Sequence, residues 1–125
     1  MMTHQHTAIR ASDIEGSVAF YEELVDFEVV RSFETDDGTR NVFIGHSDPT
    51  VDDDAAIQLV ESDEPVETGD FEHIALAVED VDATVDRLDD SLITGDPETL
   101  EDLGVRVAFI EDPEGWGIEL IEYVE

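Results

Sequence analysis

The chain contains the same pattern twice. Sliding it by 67 residues lays His73 on His6, Asp80 on Asp13, Val81 on Ile14 and Val85 on Val18 without a gap. The end of the pattern recurs too: Ala56-Ile57-Gln58-Leu59-Val60-Glu61 is echoed by Gly117-Ile118-Glu119-Leu120-Ile121-Glu122 at an offset of 61, so the second copy is six residues shorter. Such a repeat constrains the fold strongly, because both copies must build the same supersecondary unit. Each copy opens on a histidine and ends on Gln or Glu. His6, Gln58, His73 and Glu119, all able to hold a metal, therefore stand at equivalent points of two modules, which a pseudo-twofold axis would bring together.

A length of 125 residues suits one domain of ordinary size, or two small modules sharing a core. The expected division is a single domain over residues 1–125, with module one at 1–62 and module two at 70–125. The net charge is −30, from 35 acids against five arginines and no lysine, yet 41% of residues are hydrophobic. That combination describes a folded domain with an acidic skin rather than a disordered tail. Self-repulsion on this scale opposes compaction in dilute buffer, and a Debye length of about 3 Å at 1 M salt removes most of it. A salt-rich cytoplasm of the haloarchaeal kind is the expected setting. With no basic stripe to displace counterions from phosphates, nucleic acid is not an expected partner. The absence of cysteine excludes disulfides, thiolate metal sites and a cysteine nucleophile. No apolar run reaches the length of a membrane span and no signal segment opens the chain, so a cytoplasmic protein without membrane partners is expected.

Periodicity predicts βαβββ twice. Residues 3–11 alternate as a strand, with Ile9 on one face and His4, His6, Ala8 and Arg10 on the other. Ser12-Asp13-Ile14-Glu15 resembles a capping box, followed by Ile14, Val18, Tyr21 and Val25 at helical spacing. Residues 27–34 and 40–45 are strands around the turn Asp36-Asp37-Gly38, residues 49–54 an acidic loop, and residues 55–61 the fourth strand. After a linker at 62–70, the second module predicts a strand at 71–78 and an Asp-capped helix at 80–90 with Val81, Val85 and Leu88 on one stripe. Residues 91–103, interrupted by Gly95 and Pro97, predict a short strand and a loop. Strands at 105–110 and 116–123 flank the turn Asp112-Pro113-Glu114-Gly115.

Gln58 and Glu119 stand between aliphatic residues and His73 is followed by one, Ile74; these would pack on a helix, leaving the polar residue on the opposite face. Two positions along on the ligand's own face stand Ala8, Ala56, Ala75 and Gly117, and their small side chains would leave a cavity around the polar cluster. A lone strand histidine is more often a hydrogen-bonded group than a ligand, and His46 and His4 are read that way. His6, His73 and Glu119 recur as a set, which favours ligation. Gln58 is a weaker donor, able instead to hydrogen-bond a ligand or a water. Arg10 shares the face of His6 and could hold a substrate carboxylate, or equally pair with one of many surface acids.

His6-Thr7-Ala8-Ile9-Arg10, residues 17–21, Phe71-Glu72-His73-Ile74-Ala75-Leu76, and Asp112-Pro113-Glu114-Gly115 through Glu119-Leu120-Ile121-Glu122 together resemble the vicinal oxygen chelate superfamily, most closely bacterial glyoxalase I. The resemblance implies an α+β fold of two βαβββ modules forming a cupped mixed sheet. It also implies one divalent metal ion per site (nickel, zinc, cobalt, manganese or iron) held by His6, Gln58, His73 and Glu119, and a homodimer. The implied reaction converts the hemithioacetal of a thiol and a 2-oxoaldehyde to a 2-hydroxyacyl thioester through an enediolate, with Glu119 as the catalytic base. Two departures bear on substrate: Gln58 replaces the usual bacterial glutamate, and residues 97–104 are short and acidic where similar enzymes carry a glycine-rich basic loop for glutathione. Ser62 stands near the place of an asparagine that usually binds the thiol. The same resemblance leaves room for an acyl-CoA epimerase, for an Fe(II) extradiol dioxygenase using His6, His73 and Glu119, and for a metal-free module that sequesters an antibiotic.

Overall fold

The structure, a computed structural model, describes residues 5–46 and 57–124. His4, Ala55, Ala56 and the acidic loop expected at 49–54 lie outside the described residues. The chain divides into two compact units, Met1–Glu67 and Thr68–Glu125. The first holds β1 (Thr7–Ala11), α1 (Ile14–Val25), β2 (Glu28–Glu34), β3 (Arg40–Gly45) and β4 (Ile57–Glu61). The second repeats the order with β5 (Ile74–Ala77), α2 (Val81–Asp86), β6 (Ile93–Leu100), β7 (Val105–Glu111) and β8 (Gly117–Tyr123), adding single 3₁₀ turns at Asp90–Leu92 and Glu101–Leu103. Each unit is a four-stranded mixed sheet, ordered β1-β4-β3-β2 and β5-β8-β7-β6. In each, the first and last strands of the unit pair in parallel and the remaining pairings are antiparallel. The fold class is therefore α+β, as expected for the vicinal oxygen chelate fold. Among the described residues no helix is long and apolar enough to cross a membrane.

Alternation along the strands sorts the side chains into two faces. Ile9, Ala11, Val42, Ile44, Ile57 and Leu59 are buried in the first unit, where Ile14, Tyr21 and Leu24 of α1 are buried as well. In the second unit Leu76, Ala108, Ile110, Ile118 and Leu120 are buried, as are Val81, Thr84 and Val85 of α2. The opposite faces carry His6, Gln58, His73 and Glu119, as period two requires.

Several local expectations are corrected. The cap of α1 is Asp13, whose Oδ1 accepts from the Gly16 amide at 3.1 Å, rather than Ser12 in a box with Glu15. The buried stripe of α1 runs Ile14, Ser17, Tyr21 and Leu24, leaving Val18 half-buried. The second helix stops at Asp86, because Arg87 closes it and Asp89 caps the following 3₁₀ turn by accepting from the Ser91 amide at 2.9 Å. Residues 93–100 are a full eight-residue strand, not a short strand and loop. The strand β6 is an edge, where a missing proline N–H costs no ladder bond, and register shifts on either side of Gly95 absorb the irregularity.

Candidate metal centre

The two units carry their candidate ligands on one plan. In the first unit Ala8 is the parallel partner of Gln58, and Gln58 is the antiparallel partner of Phe43. In the second, Ala75 partners Glu119, and Glu119 partners Phe109. His6 and His73 each stand two residues before that alanine, and so on the same face, one residue ahead of the first paired strand position. Each imidazole meets the phenylalanine of its own row edge-on, His6 to Phe43 at 5.2 Å between centroids and 87°, His73 to Phe109 at 5.7 Å and 72°. These rings hold the imidazole planes without using their nitrogens.

Phe43 and Phe109 were not among the sequence candidates. The signal was present, since Asn41-Val42-Phe43-Ile44-Gly45 lies against Val107-Ala108-Phe109-Ile110-Glu111 at an offset of 66. It is masked by looking like ordinary strand core.

The second half-site places His73 Nε2 3.4 Å from Glu119 Oε1, with the two side chains 29% and 20% exposed. Two ligands at about 2.0–2.1 Å from one ion at a tetrahedral angle stand about 3.4 Å apart, so this spacing suits a shared cation. His73 Nδ1 is buried with no hydrogen bond, and the nearest acid, Glu72 Oε1, is 3.5 Å away, too far for one. His6 Nδ1 is likewise buried and unbonded. Gln58 donates from Nε2 to Asn41 Oδ1 at 2.9 Å. The unbonded nitrogen of His73 is Nδ1 whereas the one facing Glu119 is Nε2, so it is the Nε2–Glu119 spacing that bears on a cation. Each unit by itself offers donors of the kind a borderline divalent cation accepts, an imidazole with an amide oxygen in the first and an imidazole with a carboxylate in the second. The residues therefore fit the implied metal.

Ala8 and Ala75 are exposed on this face, in keeping with open space beside the ligands. Gly117 is small for a different reason: a Cβ there would meet the Glu72 carbonyl oxygen at 2.5 Å, so the glycine permits close backbone approach next to His73. A cavity of about 410 Å³ opens beside this half-site, walled by Glu72, His73, Gly95, Phe109, Glu111 and Gly117. Arg10 is exposed on the face of His6, as the partner of Val60. The ring of Phe43 is also covered by Arg31, whose guanidinium lies 4.3 Å from its centroid. His46 is exposed and meets Phe27 edge-on at 5.3 Å.

Among the described residues the three-membered group whose ligand atoms come within 4.8 Å of one another is Asp80, Asp82 and Glu122, and not His6, His73 and Glu119. Its oxygens are already engaged. Asp80 accepts from the Ala83 amide, Glu122 from the Val81 amide, and Asp82 binds Arg106 in a two-point pair at 2.7 and 2.9 Å. That guanidinium holds the Asp82 carboxyl below the usual carboxylate range. The cluster organises the start of α2.

Comparison with known proteins agrees with this architecture. A probable lactoylglutathione lyase of Synechocystis is 31% identical over 123 residues, covering 94% of this chain and 92% of its own. A mutant form of Zea mays glyoxalase I superposes with a TM-score of 0.78 at 23% identity, a likeness of fold that covers 97% of this chain and spans 45% of the maize chain. The trypanothione-dependent glyoxalase I of Leishmania major gives a TM-score of 0.75 at 25% identity, covering 98% of this chain and 88% of that one. The Synechocystis and Leishmania relatives support a glyoxalase-like function. Residues 3–120 match the Glyoxalase/Bleomycin resistance protein/Dioxygenase superfamily, and the chain belongs to that family.

Proposed function

We propose that the protein is a metal-dependent glyoxalase I-like lyase, converting the hemithioacetal of a 2-oxoaldehyde and a thiol to a 2-hydroxyacyl thioester. The observation that carries the reading is the row found twice: a histidine two residues before an alanine whose parallel partner is Gln58 in one unit and Glu119 in the other. One divalent ion, held by His6, Gln58, His73 and Glu119, would supply a Lewis acid for the two vicinal oxygens of the substrate. Glu119 takes the proton from the carbon bearing sulfur and returns it to the adjacent carbon. The hydroxyl proton passes to the neighbouring oxygen, so the thioester forms with no net change in redox state. Gln58 has no ionisable proton acceptor and serves by coordination and orientation alone. This asymmetry assigns the base to the second half-site and suits a single-base isomerisation better than a two-base epimerisation.

Phe43 and Phe109 hold the imidazoles and keep water from their edges. Arg10 is assigned to a carboxylate of the substrate. The thiol is proposed to be one that does not rely on a basic loop, because β6 and the turn after it carry Asp96, Glu98, Glu101 and Asp102. A homodimer working in a salt-rich cytoplasm belongs to the same proposal, and sedimentation across a salt series reads its oligomeric part.

The test is elemental analysis joined to kinetics. Protein purified in high salt should carry one divalent ion per site and turn over methylglyoxal with at least one small thiol. Glu119→Gln should lose about 10²- to 10⁴-fold in rate while retaining part of its metal, and Gln58→Glu should lose far less. Wild-type protein that binds nickel, zinc, cobalt or manganese yet isomerises no hemithioacetal would sink this reading.

A further inference from the structure

Gln58 poses a chemical difficulty that Glu119 does not. A carboxylate offers an oxygen whichever way it turns, whereas an amide offers oxygen on one side and an N–H₂ group, useless to a cation, on the other. A glutamine ligand therefore needs something to set its flip. The structure contains such a device in Asn41, which is 4% exposed. Asn41 Nδ2 donates to the Thr39 carbonyl at 3.3 Å. That carbonyl can only accept, and it also receives the Thr35 amide at 2.9 Å within the β2–β3 turn. The orientation of Asn41 follows from it: Oδ1 is the atom left to face Gln58, so Gln58 must present its nitrogen, and does so at 2.9 Å.

Register supplies the direction. Asn41 is the partner of Val60, two residues beyond Gln58 along β4. His6 stands two residues before Ala8, the parallel partner of Gln58, and so towards the opposite end of the same face. An amide whose nitrogen is tied on the Asn41 side leaves its oxygen for the His6 side. The counterpart of Asn41 in the second unit is Val107, the partner of Ile121, two residues beyond Glu119. There the residue is a carboxylate and no polar neighbour is needed. The asparagine accompanies the amide and is missing beside the acid.

We infer that Asn41 is a positioning residue that locks the side-chain amide of Gln58 with its nitrogen turned away and its oxygen free to act as the ligand on the His6 side. The ligand role rests on the metal reading proposed above; the lock itself does not.

Two measurements on the full-length chain test them separately. The first is nickel(II) affinity, by competition with a chromophoric chelator, in wild type, Asn41→Val, Gln58→Glu and the double variant. Asn41→Val, which copies the second unit, should weaken nickel binding about 10- to 100-fold beside Gln58. Beside Gln58→Glu it should change affinity by no more than about twofold, the level at which uncoupled changes add. Equal losses in both backgrounds, or no loss beside Gln58, would overturn the inference, because a purely structural asparagine would act alike in both. The second is hydrogen exchange of the Gln58 side-chain amide, read by NMR in metal-free protein. It should be protected in wild type and exchange like a free glutamine in Asn41→Val; free exchange in wild type also overturns the lock. A protected amide in a wild-type protein that binds no nickel supports the lock and removes the metal reading.

Discussion

The turn before β8 should be the most sensitive small element of the second unit, and Asp112→Ala measures it. Asp112 is 1% exposed, and its Oδ1 accepts from the Glu114 amide at 2.9 Å and the Trp116 amide at 3.0 Å. Its own amide closes the turn on the Trp116 carbonyl at 2.9 Å. Alanine keeps that backbone bond and removes both side-chain ones. Each bond to a charged acceptor is worth about 1.5 kcal/mol or more net, but Glu114 and Trp116 are half-buried, so water recovers part of the loss and the total is about 2–3 kcal/mol. With an unfolding entropy of about 2.1 cal/mol/K per residue, hence about 0.26 kcal/mol/K for this length, the melting temperature should fall by about 8–11 °C. Asp112→Asn keeps an oxygen acceptor without the charge and should lose about half as much. Differential scanning calorimetry at one fixed salt concentration reads both. A fall under about 3 °C for Asp112→Ala would mean that the paired amides find water at no cost and that the turn does not hold β7 against β8.

The −30 charge should make stability rise steeply between about 0.1 and 2 M salt, beyond the effect of osmolytes at matched water activity; a melting temperature flat over that range refutes salt adaptation. Ile57→Ala removes a fully buried side chain from the first unit and should cost about 2–5 kcal/mol in a denaturant titration; a cost below about 1 kcal/mol would mean that the helix settles into the gap. The Arg106 pair lowers the Asp82 pKa from 3.8, so its stabilisation is present above 3.8 and is lost as pH falls through the lowered value. The melting-temperature gap between wild type and Asp82→Asn should therefore close in acid, and a gap that widens there would contradict the pairing. The gap itself should be small, because the pair is solvated.

The repeat was legible because strand and helix periods act locally. Placing His6 opposite Ile9 and His73 opposite Ile74 needs only the alternation of a pleated chain, and burial of Ile9, Ile57, Leu76 and Ile118 against helices then turns the polar residues to the other face. That local logic also reached Gln58 and Glu119 through the echo of 56–61 in 117–122. It could not reach β6, since Gly95 and Pro97 deny a central strand and only a place at the sheet edge makes them tolerable. The cap of α1 and the end of α2 went the same way: several acids compete for each helix terminus, and side-chain hydrogen bonds chose Asp13 and Asp89. Asn41 needed the fold most of all. Seventeen residues separate it from Gln58, and nothing in either residue's neighbourhood along the chain connects them. Antiparallel pairing of β3 with β4 makes them neighbours, and only there does a buried asparagine beside a glutamine, matched by a valine beside a glutamate, become visible.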